Sequence, residues 1–202
     1  MSSIDGFDAA SFLFCGTVER VPHEAWDRPG LGTWDVRGLV GHTSRALLTV
    51  IDYLALDEPT DVSVPTAADY YGAFSRVYTS PDAVHRRGVD AGRALGDDPA
   101  AATRDVRDRA LAVVDAQPAG QIVSVGGMGI PLEEYLQTRT FELVVHTMDL
   151  ARAVDLPLEV PPALVESTVT LAAAVAVRAG TGEHLLLALT GREALPPGFS
   201  VV

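Results

Sequence analysis

Apolar residues recur three and four positions apart along most of this chain, and that spacing predicts a set of amphipathic helices. The clearest stripe is Leu39, Val40, Ala46, Leu47, Val50, Ile51 and Leu54, which predicts a helix from near Asp35 to about Leu56. Thr33 or Asp35 can cap it, because either side-chain oxygen can accept from a free N–H of the first turn. An earlier helix is predicted over about 7–20, and a third from about Ala67 to Tyr78, after "EPTDVSVPT" breaks the stripe. Ser80-Pro81 and Asp98-Pro99 each set a capping side chain before a proline, which marks two further helix starts. "QIVSVGGMGI" predicts a short strand and a glycine turn. Pro131 then opens the longest pattern, "PLEEYLQTRTFELVVHTMDLARAV", and "PPALVESTVTLAAAVAVRAG" predicts one more helix with a glycine stop. "HLLLALTG" reads as a strand able to pair with "QIVSV", before the tail "LPPGFSVV". The expectation is a mainly α bundle over 8–180 with a small two-stranded β element, and a short C-terminal strand and tail over 181–202 packed on it.

At 202 residues the chain suits one domain, which can bury roughly 70% of the surface it exposes when unfolded. Its 48% hydrophobic and 21% charged residues are ordinary for a soluble globular protein. The single cysteine, Cys15, excludes an internal disulfide and reads as a small buried apolar residue within "SFLFC". A formal charge of −12 argues against a nucleic-acid partner, since phosphate binding needs clustered cations. No apolar run reaches ~18 residues, so no membrane span is expected. The N-terminus lacks a basic segment followed by an apolar one, so a cytoplasmic protein is expected.

Glu142 and His146 lie four residues apart on the longest predicted helix, so both project from one face. Asp149 follows on the same stripe and Arg139 precedes it, within an otherwise apolar stretch that includes Phe141, Leu143, Val144 and Val145. Charges on so apolar a helix need partners, because an unpaired buried charge is strongly disfavoured. His42 shares the stripe of Leu39, Ala46, Thr49 and Tyr53, which points it inward. Two imidazoles and one carboxylate around a divalent cation would leave positions open, as in catalytic zinc sites. Spacing alone leaves other readings: a lone His on an apolar face is more often a satisfied core histidine, and Glu-x-x-x-His serves a simple side-chain contact as readily as a metal.

"TWDVRGLVGHTSRALLTVIDYL" resembles the signature of the DinB/YfiT-like metalloenzyme superfamily, in which a Trp and a helix start precede a metal-binding His. "YLQTRTFELVVHTMDLARAVDLP" is similar to the second signature of its mycothiol-dependent maleylpyruvate isomerase branch. That resemblance implies an up-down-down-up four-helix core with extra helices, and metal ligands that fall on His42, Glu142 and His146. It implies a divalent metal, zinc first with nickel, iron or manganese as alternatives, and mycothiol as cosubstrate. An actinobacterial source is implied too, with which a chain whose fifteen basic residues are all Arg agrees. The isomerase itself carries a longer C-terminal subdomain, which argues against maleylpyruvate as the substrate here.

The expected activity is thiol activation for S-transfer or isomerisation of a small electrophile. A metal-dependent hydrolase and a non-catalytic metal-binding bundle are the alternatives. Asp149 can orient a ligand imidazole, or else pair with Arg152 or Arg45. Arg139 and Arg45 can meet carboxylates of thiol or substrate, or pair with nearby acidic residues. His23, His85 and His184 fall near predicted loops or helix ends and read as solvated. The expected partners are small molecules, and a homodimer is compatible with the sequence.

Overall fold

The computed structural model describes residues 1–74 and 80–201. Among them it holds α1 (Ser3–Val18), α2 (Val36–Leu54), α3 (Ala67–Phe74), α4 (Pro81–Ala94), α5 (Pro99–Asp115), β1 (Ile122–Val125), β2 (Met128–Pro131), α6 (Leu132–Ala153), α7 (Pro162–Arg178) and α8 (Gly182–Leu189). The chain is thus mainly helical with one small antiparallel sheet. No helix of the described residues is long and apolar enough to cross a membrane.

Four helices form a closed ring of contacts, α1 on α6, α6 on α2, α2 on α5 and α5 on α1. Their inward stripes supply the core, with Phe7, Phe14, Leu39, Leu47, Leu136, Leu143 and Leu150 all excluded from solvent. Arg107 ties α5 to α1 at the rim, donating to Asp8 (2.6 Å) and to Ser11 Oγ (3.2 Å). The capping signals act as the sequence predicts. Asp35 Oδ1 accepts from the Gly38 N–H (2.6 Å), and Ser80 and Asp98 cap the two proline-led helices.

Helix α4 lies against α2 at backbone distance. A Cβ on Gly41 would stand 2.1 Å from the Gly92 nitrogen and 2.5 Å from the Gly88 oxygen. Only glycine permits that approach. Arg37 completes the joint, donating to the carbonyls of Gly92 (3.3 Å) and Gly96 (3.0 Å) at the end of α4.

Two predicted elements differ. "HLLLALTG" forms α8, not a strand: Leu and Ala are strong helix formers, and β1 already has a nearer partner. That partner is β2, within the same ten residues, paired from Ile122↔Pro131 to Val125↔Met128. Gly126 and Gly127, with φ of 58° and 81°, make the two-residue turn whose positive φ values suit a hairpin. The first helix also begins earlier than predicted, at Ser3, capped by a reciprocal Ser2–Asp5 pair. The predicted third helix is described as far as Phe74; its stretch to Tyr78 lies outside the described residues.

The hairpin positions the next part of the fold. Ser63 and Val64 N–H groups donate to the Gly129 carbonyl (2.9 Å each), which holds the loop after α2 against β2. From there the chain enters α3, whose first N–H, at Ala67, donates to Glu134 of α6 (2.7 Å). Helix α3 therefore sits over α6 and against α7, and its tyrosines face the bundle.

Candidate metal centre and its cavity

His42 comes from α2, and Glu142 and His146 from α6. Because these helices pack together in the ring, one ligand atom from each of the three residues lies within 4.8 Å of the others. His146 Nε2 stands 3.3 Å from Glu142 Oε2, and the His42 and His146 rings meet edge to face at 4.9 Å. One cation can bridge such a set. The donors, two imidazoles and a carboxylate, suit a divalent ion of the zinc type. His42 Nδ1 is buried without a hydrogen-bond partner, so that ring nitrogen is not already committed to another group.

Each of the three side chains is held from behind. Asp149 Oδ2 lies 3.2 Å from His146 Nδ1, which holds the ring with Nε2 turned to Glu142. Asp149 also faces Arg152 at 3.6 Å. Tyr71 of α3 donates its hydroxyl to Glu142 Oε1 (3.2 Å). Trp34, just ahead of α2, stacks on His42 with ring centres 4.4 Å apart. Its Nε1 donates to the His85 carbonyl (3.0 Å), and Gly88 leaves room for the indole, since a Cβ there would meet Nε1 at 2.7 Å.

Nothing in the sequence pattern marks Trp34 as a contact of His42, or Tyr71 as a contact of Glu142. His85 is not solvated as expected: it is half-buried within α4, pairs with Thr33 Oγ1 (2.9 Å) and stacks at 6.0 Å on Trp34. His23 and His184 are exposed, as expected. The signal for Tyr71 was faint: two adjacent tyrosines on a short apolar helix.

The cluster sets unusual proton affinities. Burial, then the nearby His146 charge, lower the His42 pKa to about 4. Burial acts the same way on His146, but hydrogen bonds to Asp149 and Glu142 outweigh it and raise its pKa to about 9. Burial pushes Glu142 up, yet the bond to His146 and the field of Arg139 prevail and bring it to about 2. Near neutrality the cation-free cluster therefore holds one proton, on His146, between two carboxylates.

His42 and Glu142 open onto a cavity of about 1490 Å³. Its walls carry Arg45, Arg87, Arg139 and Arg178, a cationic lining inside an acidic protein. Arg178 pairs with Asp69, which also lines the cavity. Arg139 is 9% exposed and forms no ion pair with a carboxylate among the described residues. Its guanidinium instead lies over Tyr135 (4.8 Å) and Tyr70 (5.3 Å), while Nη2 donates to Tyr70 Oη (3.1 Å) and Nε to Thr138 Oγ1 (3.0 Å). Those tyrosine faces and the Glu142 charge keep it protonated despite burial. Arg45, one turn after His42, reaches the same cavity. Cys15 lies elsewhere, buried on α1 with its thiol pushed up to about 11 by burial. It supplies no reactive sulfur to this site.

No curated protein and no solved structure matches the chain. One protein-family description does: the mycothiol maleylpyruvate isomerase N-terminal domain, over residues 8–151. That span takes in every residue of the cluster and most of the chain. The chain therefore belongs to the family of the mycothiol maleylpyruvate isomerase N-terminal domain.

Proposed function

We propose that this protein is a metal-dependent enzyme that activates mycothiol for S-transfer to, or isomerisation of, a small electrophilic substrate, with His42, Glu142 and His146 as metal ligands. The observation that carries the reading is the meeting of these three side chains, from opposite halves of the chain, at the edge of a cationic cavity. A bound divalent cation, zinc before nickel, iron or manganese, would supply stabilisation of a thiolate, which a free thiol of pKa ~8.5 scarcely populates near neutrality.

The chain's own residues do the rest. Asp149 holds His146 so that Nε2 faces the cluster, and Tyr71 occupies one carboxylate oxygen of Glu142, leaving Oε2 turned toward His146. Arg45 and Arg139 bind the carboxylate of an acidic substrate, for which a guanidinium fork is well shaped. The tyrosine wall around Arg139 narrows its access to water, which strengthens that attraction.

The direct test is turnover of a chlorinated nitroarene with mycothiol. The metal-loaded protein is expected to form the thioether, and His146→Ala to lose that activity. Ester hydrolysis without thiol would instead favour the hydrolase reading. Inertness in both assays, with a melting temperature that falls sharply on chelation, would favour a non-catalytic metal bundle.

Proton counting offers a second test. Of the three ligands only His146 is protonated at pH 7, so loading with zinc is expected to release about one proton per chain. Apparent affinity should rise about tenfold per pH unit up to about 9 and then level off. Calorimetry in buffers of different ionisation enthalpy counts that proton; release of none contradicts the ligand assignment. Asp149→Asn should move the plateau to lower pH and weaken binding roughly 10–100-fold.

A further inference from the structure

The chain beyond α8 returns to the cavity. Residues 191–198 are exposed, and then the Phe199 N–H donates to the Pro196 carbonyl (3.0 Å) across a turn in which Gly198 has φ of 74°. A side chain would strain that conformation, so the glycine fixes where the chain reverses. Past the turn, Ser200 and Val201 line the same cavity as His42, Arg139 and Glu142. Val201 is half-buried and packs against the small apolar cluster of Ala67, Ala68, Phe141, Leu171 and Val175. The segment is thus tucked in only past the turn, where Ser200 and Val201 form part of the chamber wall.

We propose that residues 199–201 are a specificity element of this protein: they close one side of the chamber and set the size of molecule that reaches the face of α2 bearing His42 and Ala46. The proposal rests on the reading of this cavity as the substrate chamber. It concerns a part of the chain outside the family match, which ends at residue 151. A volume of about 1490 Å³ exceeds the roughly 300–1,000 Å³ of ordinary small-molecule pockets. Space for two molecules is present, and a wall residue such as Val201 then limits the bulk of what can approach. A side chain packed on a modest apolar cluster, and carried by an otherwise exposed segment, is also one whose loss leaves the four-helix ring intact.

Access can be read without metal, thiol or turnover. Ala46 lines the cavity one turn from His42, so Ala46→Cys places a reporter thiol deep inside it. Cys15, buried outside the cavity, gives the background rate, measured in the chain without the reporter. The probes are methyl methanethiosulfonate, which is small, and fluorescein maleimide, which is bulky. Ending the chain after Gly198 is expected to raise the bulky reagent's rate about tenfold while the small reagent stays within about twofold; Val201→Trp should lower the bulky rate by a similar factor. Val201→Gly keeps the segment and removes only the side chain, so it decides the matter if the shortened chain melts early. Equal changes for both reagents, or no change with any variant, would overturn the proposal. Size selection without mycothiol turnover would sink the thiol reading alone, and turnover without size selection would sink this one alone.

Discussion

His42→Ala is expected to cost the protein its cation. A zinc site formed by four protein ligands is worth about 10–16 kcal/mol, so one ligand contributes roughly 3 kcal/mol, or about 100-fold in affinity. After dialysis against a weak chelator, elemental analysis should then find about one zinc per chain in the unaltered protein and a small fraction of that in His42→Ala. The loss should exceed that of any change behind the three side chains, because the described residues place no other His, Cys, Asp or Glu with them to replace the imidazole delivered by α2. His85→Ala is the informative control. His85 stacks on the same Trp34 indole as His42 but is not one of the three clustered residues, so its removal disturbs the stack and leaves those three donors in place. If His42→Ala and the unaltered protein retain the same metal, the ligand set is wrong and the thiol mechanism falls with it.

The second large effect concerns the fold around the site. Gly41→Ala should destabilise the protein by about 3 kcal/mol, at the upper end of overpacking effects, because the new methyl meets backbone atoms of α4 that cannot rotate away. For a chain of this length that corresponds to a fall of about 6–12 °C in melting temperature. Since Gly41 precedes His42, and α4 supports Trp34 behind it, parting the two helices should also weaken metal binding. Gly16→Ala on α1 is the matched comparison. Nothing lies within 4 Å of the added Cβ there, so replacing a helical glycine should stabilise by roughly 0.5–1 kcal/mol. Calorimetric scans in which both variants melt together would refute the close α2–α4 contact.

The helices were legible because their signals are local. Asp35, Ser80 and Asp98 cap where the sequence places caps, and the stripe from Leu39 to Val50 is the inner face of α2. Local rules failed at "HLLLALTG", where an unbroken apolar run has no period to separate strand from helix. They also failed at "QIVSVGGMGI", which holds both strands of the sheet around its Gly-Gly turn. The three clustered side chains were legible through spacing and family resemblance together. Their surroundings were not. Tyr71 on Glu142 and Tyr70 over Arg139 join residues about seventy positions apart, and nothing local in a one-dimensional pattern specifies which helices will adjoin.

The hairpin at Gly126–Gly127 and the three-residue cluster lie at opposite extremes of chain separation. Two residues close the first, an event of microseconds, whereas a hundred separate His42 from Glu142. Joining that distance costs more loop entropy than closing the hairpin, so the three side chains come together only when α2 and α6 pack. A nascent or partly unfolded chain accordingly offers a cation no more than isolated fragments of the grip. On the proposed reading loading would follow folding, and a bound ion would then resist unfolding of α2 and α6 together, not of one local turn.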